Sequence, residues 1–124
     1  MNKILIVDDS STMRKIIMRV LRQAGLHVEE FLEAGNGAEG LKSLMESPDV
    51  ELVLSDINMP QMDGVAFVQA VRSKLSAEQL PMIMISTESG NSKVQSALDS
   101  GANGYVSKPF TPDTIRAALE PYFG

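Results

Sequence analysis

Residues 3–10 read Lys-Ile-Leu-Ile-Val-Asp-Asp-Ser, and behind them Met13, Ile16, Ile17, Val20 and Leu21 fall on one helical stripe. Four unbroken apolar residues, Ile4 to Val7, suit a strand buried on both faces, and the two carboxylates end it. The stripe that follows repeats at i, i+3, i+4, i+7 and i+8, the period of an amphipathic helix. Ser10 or Ser11 stands where an N-cap belongs, and Gly25 where the helix should stop. A strand, an acidic turn and a helix make one βα unit.

The same unit recurs along the chain. Further apolar runs lie at Leu52 to Leu54, at Met82 to Ile85 and, more weakly, at Tyr105–Val106, while Val28 to Glu33 mixes apolar and acidic residues as a half-exposed strand would. Helical spacing follows each one. It is carried by Ala38, Leu41, Leu44 and Met45 before Pro48, by Phe67, Val68, Val71 and Leu75 after Asp63–Gly64, and by Val94, Ala97 and Leu98 before Gly101. In the last, Thr111, Pro112 and Asp113 read as N-cap, N1 and N2, with Ile115, Ala118, Leu119 and Tyr122 as the buried face. Five strands alternating with five helices imply an open, doubly wound α/β sheet, largely parallel. Right-handed crossovers then bring every strand's C-terminal end to one edge, where such folds bind ligands.

Composition narrows the chemistry. The 124 residues fit one domain, expected to span 1–124 with no output domain attached. Cysteine is absent, which removes disulfides, thiolate metal sites and cysteine nucleophiles. Eleven basic against sixteen acidic residues leave a net charge of −5, which disfavours nucleic acid or an anionic membrane as partner. No apolar run approaches the ~20 residues that span a bilayer, and no signal peptide precedes the first strand, so a cytoplasmic setting is expected.

The strand ends carry the candidate site. Asp8 and Asp9 close the first strand, Ser55–Asp56 follow the third, Ser86–Thr87 end the fourth, and Ser107 leads into Lys108–Pro109 after the fifth. Taken singly, each has an ordinary reading as a cap, a loop or a solvated residue; their convergence on one edge is what carries weight. Three close carboxylates repel and call for a cation. All-oxygen ligation suits Mg²⁺ better than zinc, and the single histidine, His27, reads as a surface residue. With Mg²⁺ and Lys108 beside it, an ionised aspartate can attack phosphorus and form an acyl phosphate.

Two strings mislead. Gly35-Asn36-Gly37-Ala38-Glu39-Gly40 matches GxGxxG, but it lies in the second βα unit, and the first unit ends in carboxylates that would repel pyrophosphate. Gly35 and Gly37 read instead as a turn, and Gly40 as a close helix contact. The same string misses a Walker A motif because Leu41 intrudes before Lys42–Ser43.

Asp8–Asp9, the run SDINMPQMDG around Asp56, ISTE at Ser86 and GANGYVSKPF around Lys108 together resemble a two-component response-regulator receiver domain, most of all the single-domain chemotaxis type. The resemblance covers nearly the whole chain. It implies a flavodoxin-like (βα)5 fold with strand order 2-1-3-4-5. It further implies that Asp56 is the phosphoacceptor for a sensor histidine kinase or phosphotransfer protein. Asp9, Asp56 and the backbone carbonyl of Asn58 would hold Mg²⁺, with Asp8 acting through water. Lys108, after a cis peptide bond to Pro109, and Ser86 would contact the phosphoryl group, and Tyr105 would swing inward with Ser86. Asn58 and Glu88 would tune dephosphorylation, as in the chemotaxis type. The face built by the fourth helix, fifth strand and fifth helix would pass the signal to a separate output protein. The chain would be a regulatory module rather than a turnover enzyme, monomeric at rest, with dimerisation on phosphorylation left open.

Departures from the family pattern are Thr87, where Ala or Gly is usual, and Gly90-Asn91-Ser92, where the chemotaxis type is more basic. Two rivals remain at this stage. One is a haloacid-dehalogenase-like phosphatase, which by resemblance would carry DxD where this chain has Asp8-Asp9-Ser10. The other is a degenerate receiver that acts by binding alone.

Overall fold

The alternation of residue types in β1 (Lys3–Val7) sets the layering. Leu5 and Val7 point to one side of the sheet and Ile4 and Ile6 to the other, and all four are fully buried. A strand with both faces apolar must be covered twice, so helices have to lie on both sides. The computed structural model, which describes residues 1–87 and 92–123, shows this arrangement.

The remaining elements are α1 (Ser11–Gln23), β2 (Glu30–Ala34), α2 (Gly37–Glu46), β3 (Leu52–Asp56), α3 (Gly64–Arg72), β4 (Met82–Ser86), α4 (Ser92–Asp99), β5 (Gly104–Ser107) and α5 (Pro112–Leu119), closed by a 3₁₀ turn at Glu120–Tyr122. All strands pair in parallel in the order β2-β1-β3-β4-β5. On one face Leu5, Val7, Val53, Met82 and Met84 pack with Leu44 of α2, Phe67, Val68 and Val71 of α3, and Val94 and Ala97 of α4. On the other, Ile4, Ile6, Leu52, Leu54, Ile83 and Ile85 meet Ile17 and Leu21 of α1 and Ile115 and Leu119 of α5. Burying a side chain the size of Phe67 contributes about 1.5–3 kcal/mol, so these layers hold the sheet rigid behind its edge.

Local signals place the elements. Ser10 caps α1 by accepting from the Met13 N–H at 3.1 Å, and Asn36 and Asp63 cap α2 and α3 in the same way. Thr111 and Thr114 form a reciprocal capping box at α5, with Pro112 as its first helical residue. Gly25 and Gly101, beyond the ends of α1 and α4, adopt φ of 78° and 117°. Gly40 of the GxGxxG string is a packing glycine, since a Cβ there would lie 2.9 Å from the Phe67 ring.

Three details differ from the sequence expectation. β3 continues through Ser55 and Asp56, because Asp56 still pairs with Ile85. Gly37 is already helical rather than part of a turn. α3 ends at Arg72, so Leu75 lies beyond it and is exposed instead of lining its buried face. The guanidinium of Arg72 ties down the segment after the stop by donating to the carbonyls of Leu75, Ser76 and Gly101.

Candidate functional site

The strand register assembles the site. Val7 pairs with Ser55, Asp56 with Ile85, and Ser86 with Ser107, so Asp8, Asp56, Ser86 and Lys108 end neighbouring strands at one rim. The Lys108 N–H donates to the Ser86 carbonyl at 2.7 Å, and the Lys108–Pro109 peptide is cis.

At this rim one oxygen each of Asp8, Asp9 and Asp56 lies within 4.8 Å of the others, the one such metal-capable group among the described residues. The Lys108 ammonium sits 3.4 Å from Asp8 Oδ2 and 3.6 Å from Asp56 Oδ2. These side chains are sheltered, with 3% of Asp8, 14% of Asp56 and 13% of Lys108 exposed, whereas Asp9 is open to solvent. Asp8 Oδ1 accepts from the Ser10 N–H at 2.9 Å, and Asp56 Oδ1 accepts from the Ile57 N–H at 2.7 Å. Burial pushes the Asp56 carboxyl above its usual range; Lys108 and the Ile57 N–H pull it down, and Asp8 and Asp9 push it up further.

The backbone around Asp56 is fixed closely. The Gly64 N–H donates to the Ile57 carbonyl at 2.7 Å. A Cβ on Gly64 would press on the Asp56 carbonyl oxygen and come within 2.7 Å of Ile57 Cα, so only glycine lets α3 start this near the end of β3. The loop 57–63 is also bolted to α2, through Gly37 N–H to the Met62 carbonyl at 3.0 Å and Asn36 Nδ2 to Gln61 Oε1 at 3.2 Å.

Of the residues expected at the site, Asp8, Asp9, Asp56, Ser86 and Lys108 come together at the rim. Ser86 is buried at the end of β4. Asn58 follows Asp56 in the loop, its Oδ1 accepting from Lys93 at 2.9 Å. Tyr105 is 38% exposed on β5. Glu88 and the Gly90–Asn91 pair lie outside the described residues. His27 is exposed, as expected of a surface residue.

Sequence reasoning missed two cations. Arg14 donates to the Asp8 carbonyl oxygen and, at 2.9 Å, to Glu33 of β2, fixing the backbone beneath the cluster. Lys15, and after it Arg14, hold the Glu33 carboxyl below its usual range. Arg14 does not stand out in the sequence, because it reads as a solvated helix residue, and Lys93 stands out only as the one basic residue at the start of the fourth helix.

A family profile described as "Response regulator receiver domain" matches residues 4–120. The chain belongs to the response-regulator receiver domain family. This receiver domain is 43% identical over 122 residues to the chemotaxis protein CheY homolog of Campylobacter jejuni, covering 98% of this chain and 92% of that protein. It superposes on chemotaxis response regulator CheY4 of Vibrio cholerae with a TM-score of 0.80 at 36% identity, covering 98% of each chain. A two-component system response regulator/GGDEF domain protein gives a TM-score of 0.86 at 33% identity over 97% of this chain. The receiver domain spans about half of that longer protein, 48% of its chain. It is thus a CheY-like signalling module of the response-regulator kind. No helix among the described residues is long and apolar enough to cross a membrane.

Proposed function

We propose that this receiver domain takes a phosphoryl group onto Asp56 from the phosphohistidine of a sensor histidine kinase or phosphotransfer protein. One observation carries the reading: a sheltered aspartate lies 3.6 Å from a lysine and within 4.8 Å of two further carboxylates, at the ligand-binding edge of the sheet. The donor set fits a hard divalent ion, since it offers oxygen only and its clustered charge lacks a full counterweight in one ammonium. Asp9, Asp56 and the Asn58 backbone carbonyl would hold Mg²⁺, with Asp8 reaching it through water. When bound, the ion would neutralise phosphoryl oxygens as charge builds on them.

An Asp56 carboxylate oxygen attacks phosphorus, and the P–N bond to the donor imidazole breaks with its electron pair staying on nitrogen. The Lys108 ammonium neutralises phosphoryl oxygens from the other side, and the Ser86 hydroxyl donates to one of them. Tyr105, exposed on β5, turns inward as Ser86 is drawn to the phosphoryl group. That movement reshapes the α4–β5–α5 face, which docks a separate output protein. Asn58 and Glu88 set the lifetime of the acyl phosphate. The activity is cytoplasmic regulation, with self-catalysed phosphoryl gain and loss on the receiver domain.

Brief incubation with acetyl phosphate, with and without Mg²⁺, followed by intact-mass spectrometry tests this on wild type and Asp56→Asn. A single Mg²⁺-dependent phosphoryl adduct absent from the variant supports it. An adduct that survives Asp56→Asn moves the nucleophile to another residue, Asp8 first. No adduct on the wild type leaves a receiver that works by binding alone.

A further inference from the structure

Lys93 lies in the first turn of α4, 35 residues from Asn58 in sequence, yet its ammonium donates to Asn58 Oδ1 at 2.9 Å. The loop that carries Asn58 is held on its other flank by Gly37, Asn36 and Gly64. What Lys93 adds is the orientation of one carboxamide, two residues beyond the proposed phosphoacceptor. A cation on Oδ1 fixes the amide flip, because only the oxygen end can accept, and the NH₂ becomes the end left to donate toward a phosphoryl oxygen or an approaching water.

We infer that Lys93 is a positioning residue: by holding the Asn58 carboxamide it sets how long a phosphoryl group on Asp56 survives. The inference rests on the phosphoacceptor reading above and deepens it. Hydrolysis needs water in line with the bond from phosphorus to the Asp56 oxygen, and that bond breaks with its electron pair returning to the carboxylate. An amide held in one orientation presents its donor to that water reproducibly. An amide released from Lys93 samples other orientations and does so less often. The same contact joins the loop to α4, so movement of α4 would release Asn58 and couple the lifetime to whatever docks on that helix.

The experiment phosphorylates the full chain with acetyl phosphate and Mg²⁺, removes the donor by rapid desalting and follows decay of the adduct by intact mass. Wild type, Lys93→Met, Lys93→Arg, Asn58→Ala and the double variant Lys93→Met/Asn58→Ala are compared, with urea midpoints to show that each is folded. Lys93→Met should lengthen the half-life about two- to fivefold, the range that one exposed charge-assisted contact supports. Lys93→Arg, which keeps a donor, should restore the wild-type decay. In the Asn58→Ala background Lys93→Met should add nothing, whereas a lysine acting only by its charge or by stabilising α4 would keep its effect there. An unchanged or shortened half-life in Lys93→Met, or an effect that persists without Asn58, overturns the inference while the phosphoacceptor reading stands. A wild type that takes no phosphoryl group overturns both.

Discussion

Replacing Asp56 by Asn should make the protein more stable, although it removes an ion pair. A like-charge pair at 4.8 Å costs about 3.5 kcal/mol at an effective dielectric of about 20. Asp56 faces two such neighbours; solvent around Asp9 cuts its share to about half. Against these stands one attraction, to Lys108 at 3.6 Å, worth about 4.6 kcal/mol on the same scale. The two sides nearly cancel, and the desolvation of a carboxylate with 14% of its side chain exposed is left over. The amide escapes that cost and can still accept from the Ile57 N–H, so a gain of about 1–2 kcal/mol is expected near neutral pH.

The pH dependence has a definite sign. Burial raises the folded-state Asp56 pKa, so the folded protein binds that proton more tightly than the unfolded chain does. The wild type is therefore not penalised below the ordinary aspartate range; the penalty grows as pH rises through the elevated folded value and is complete above it. Urea unfolding from pH 4.5 to 8 in low salt measures this, urea being preferred because guanidinium would screen the charges. An Asn variant no more stable than wild type at pH 7.5, or a gap that stays constant with pH, would refute the reasoning.

Other perturbations have equally definite outcomes. Mg²⁺ at a hundredfold its Kd should stabilise the wild type by about 2.7 kcal/mol, and the gain should vanish in Asp9→Asn or with excess EDTA; thermal unfolding with and without the ion checks both. Gly64→Ala should cost about 1–3 kcal/mol in urea unfolding, since its Cβ meets Asp56 and Ile57 backbone, and should slow adduct formation as well. Arg72→Met should cost about 1–3 kcal/mol by stranding the Gly101 carbonyl and removing the guanidinium's bonds to the Ser76 carbonyl and Asn103 Oδ1, which keep the Leu80 and Met82 N–H groups as donors, while leaving the rate of adduct formation within about twofold, because these contacts lie away from the acidic rim.

The fold was legible because its signals are local and repeated. Apolar runs of strand length, caps such as Ser10, Asp63 and Thr111, and terminal glycines at 25 and 101 each act within a few residues. The acidic rim was legible because parallel topology turns strand ends into neighbours, so Asp8, Asp56 and Lys108 could be grouped before any distance was known. Strand order was less accessible, since alternation alone does not say where the sheet reverses; the resemblance supplied it. The side-chain ties of Arg14, Lys93 and Gln61 were hidden for a different reason. They join helices, strands and loops through polar residues whose spacing has no period. Leu75 shows the opposite failure: its spacing continued the α3 stripe, but the helix stops at Arg72, whose guanidinium reaches the carbonyl of Gly101.

Lys108 and Asp8 meet across 100 residues of chain. During synthesis the three aspartates are therefore all made long before the lysine that offsets them, and β5, which delivers it, is the last strand to join the sheet. At about 5–20 residues per second, the interval between Asp56 and Lys108 lasts on the order of several seconds. A nascent chain in that interval lacks the ammonium that, under the proposed function, neutralises phosphoryl oxygens at the rim. Under the proposed function, competence to take a phosphoryl group therefore arrives with the βα unit that carries Lys108.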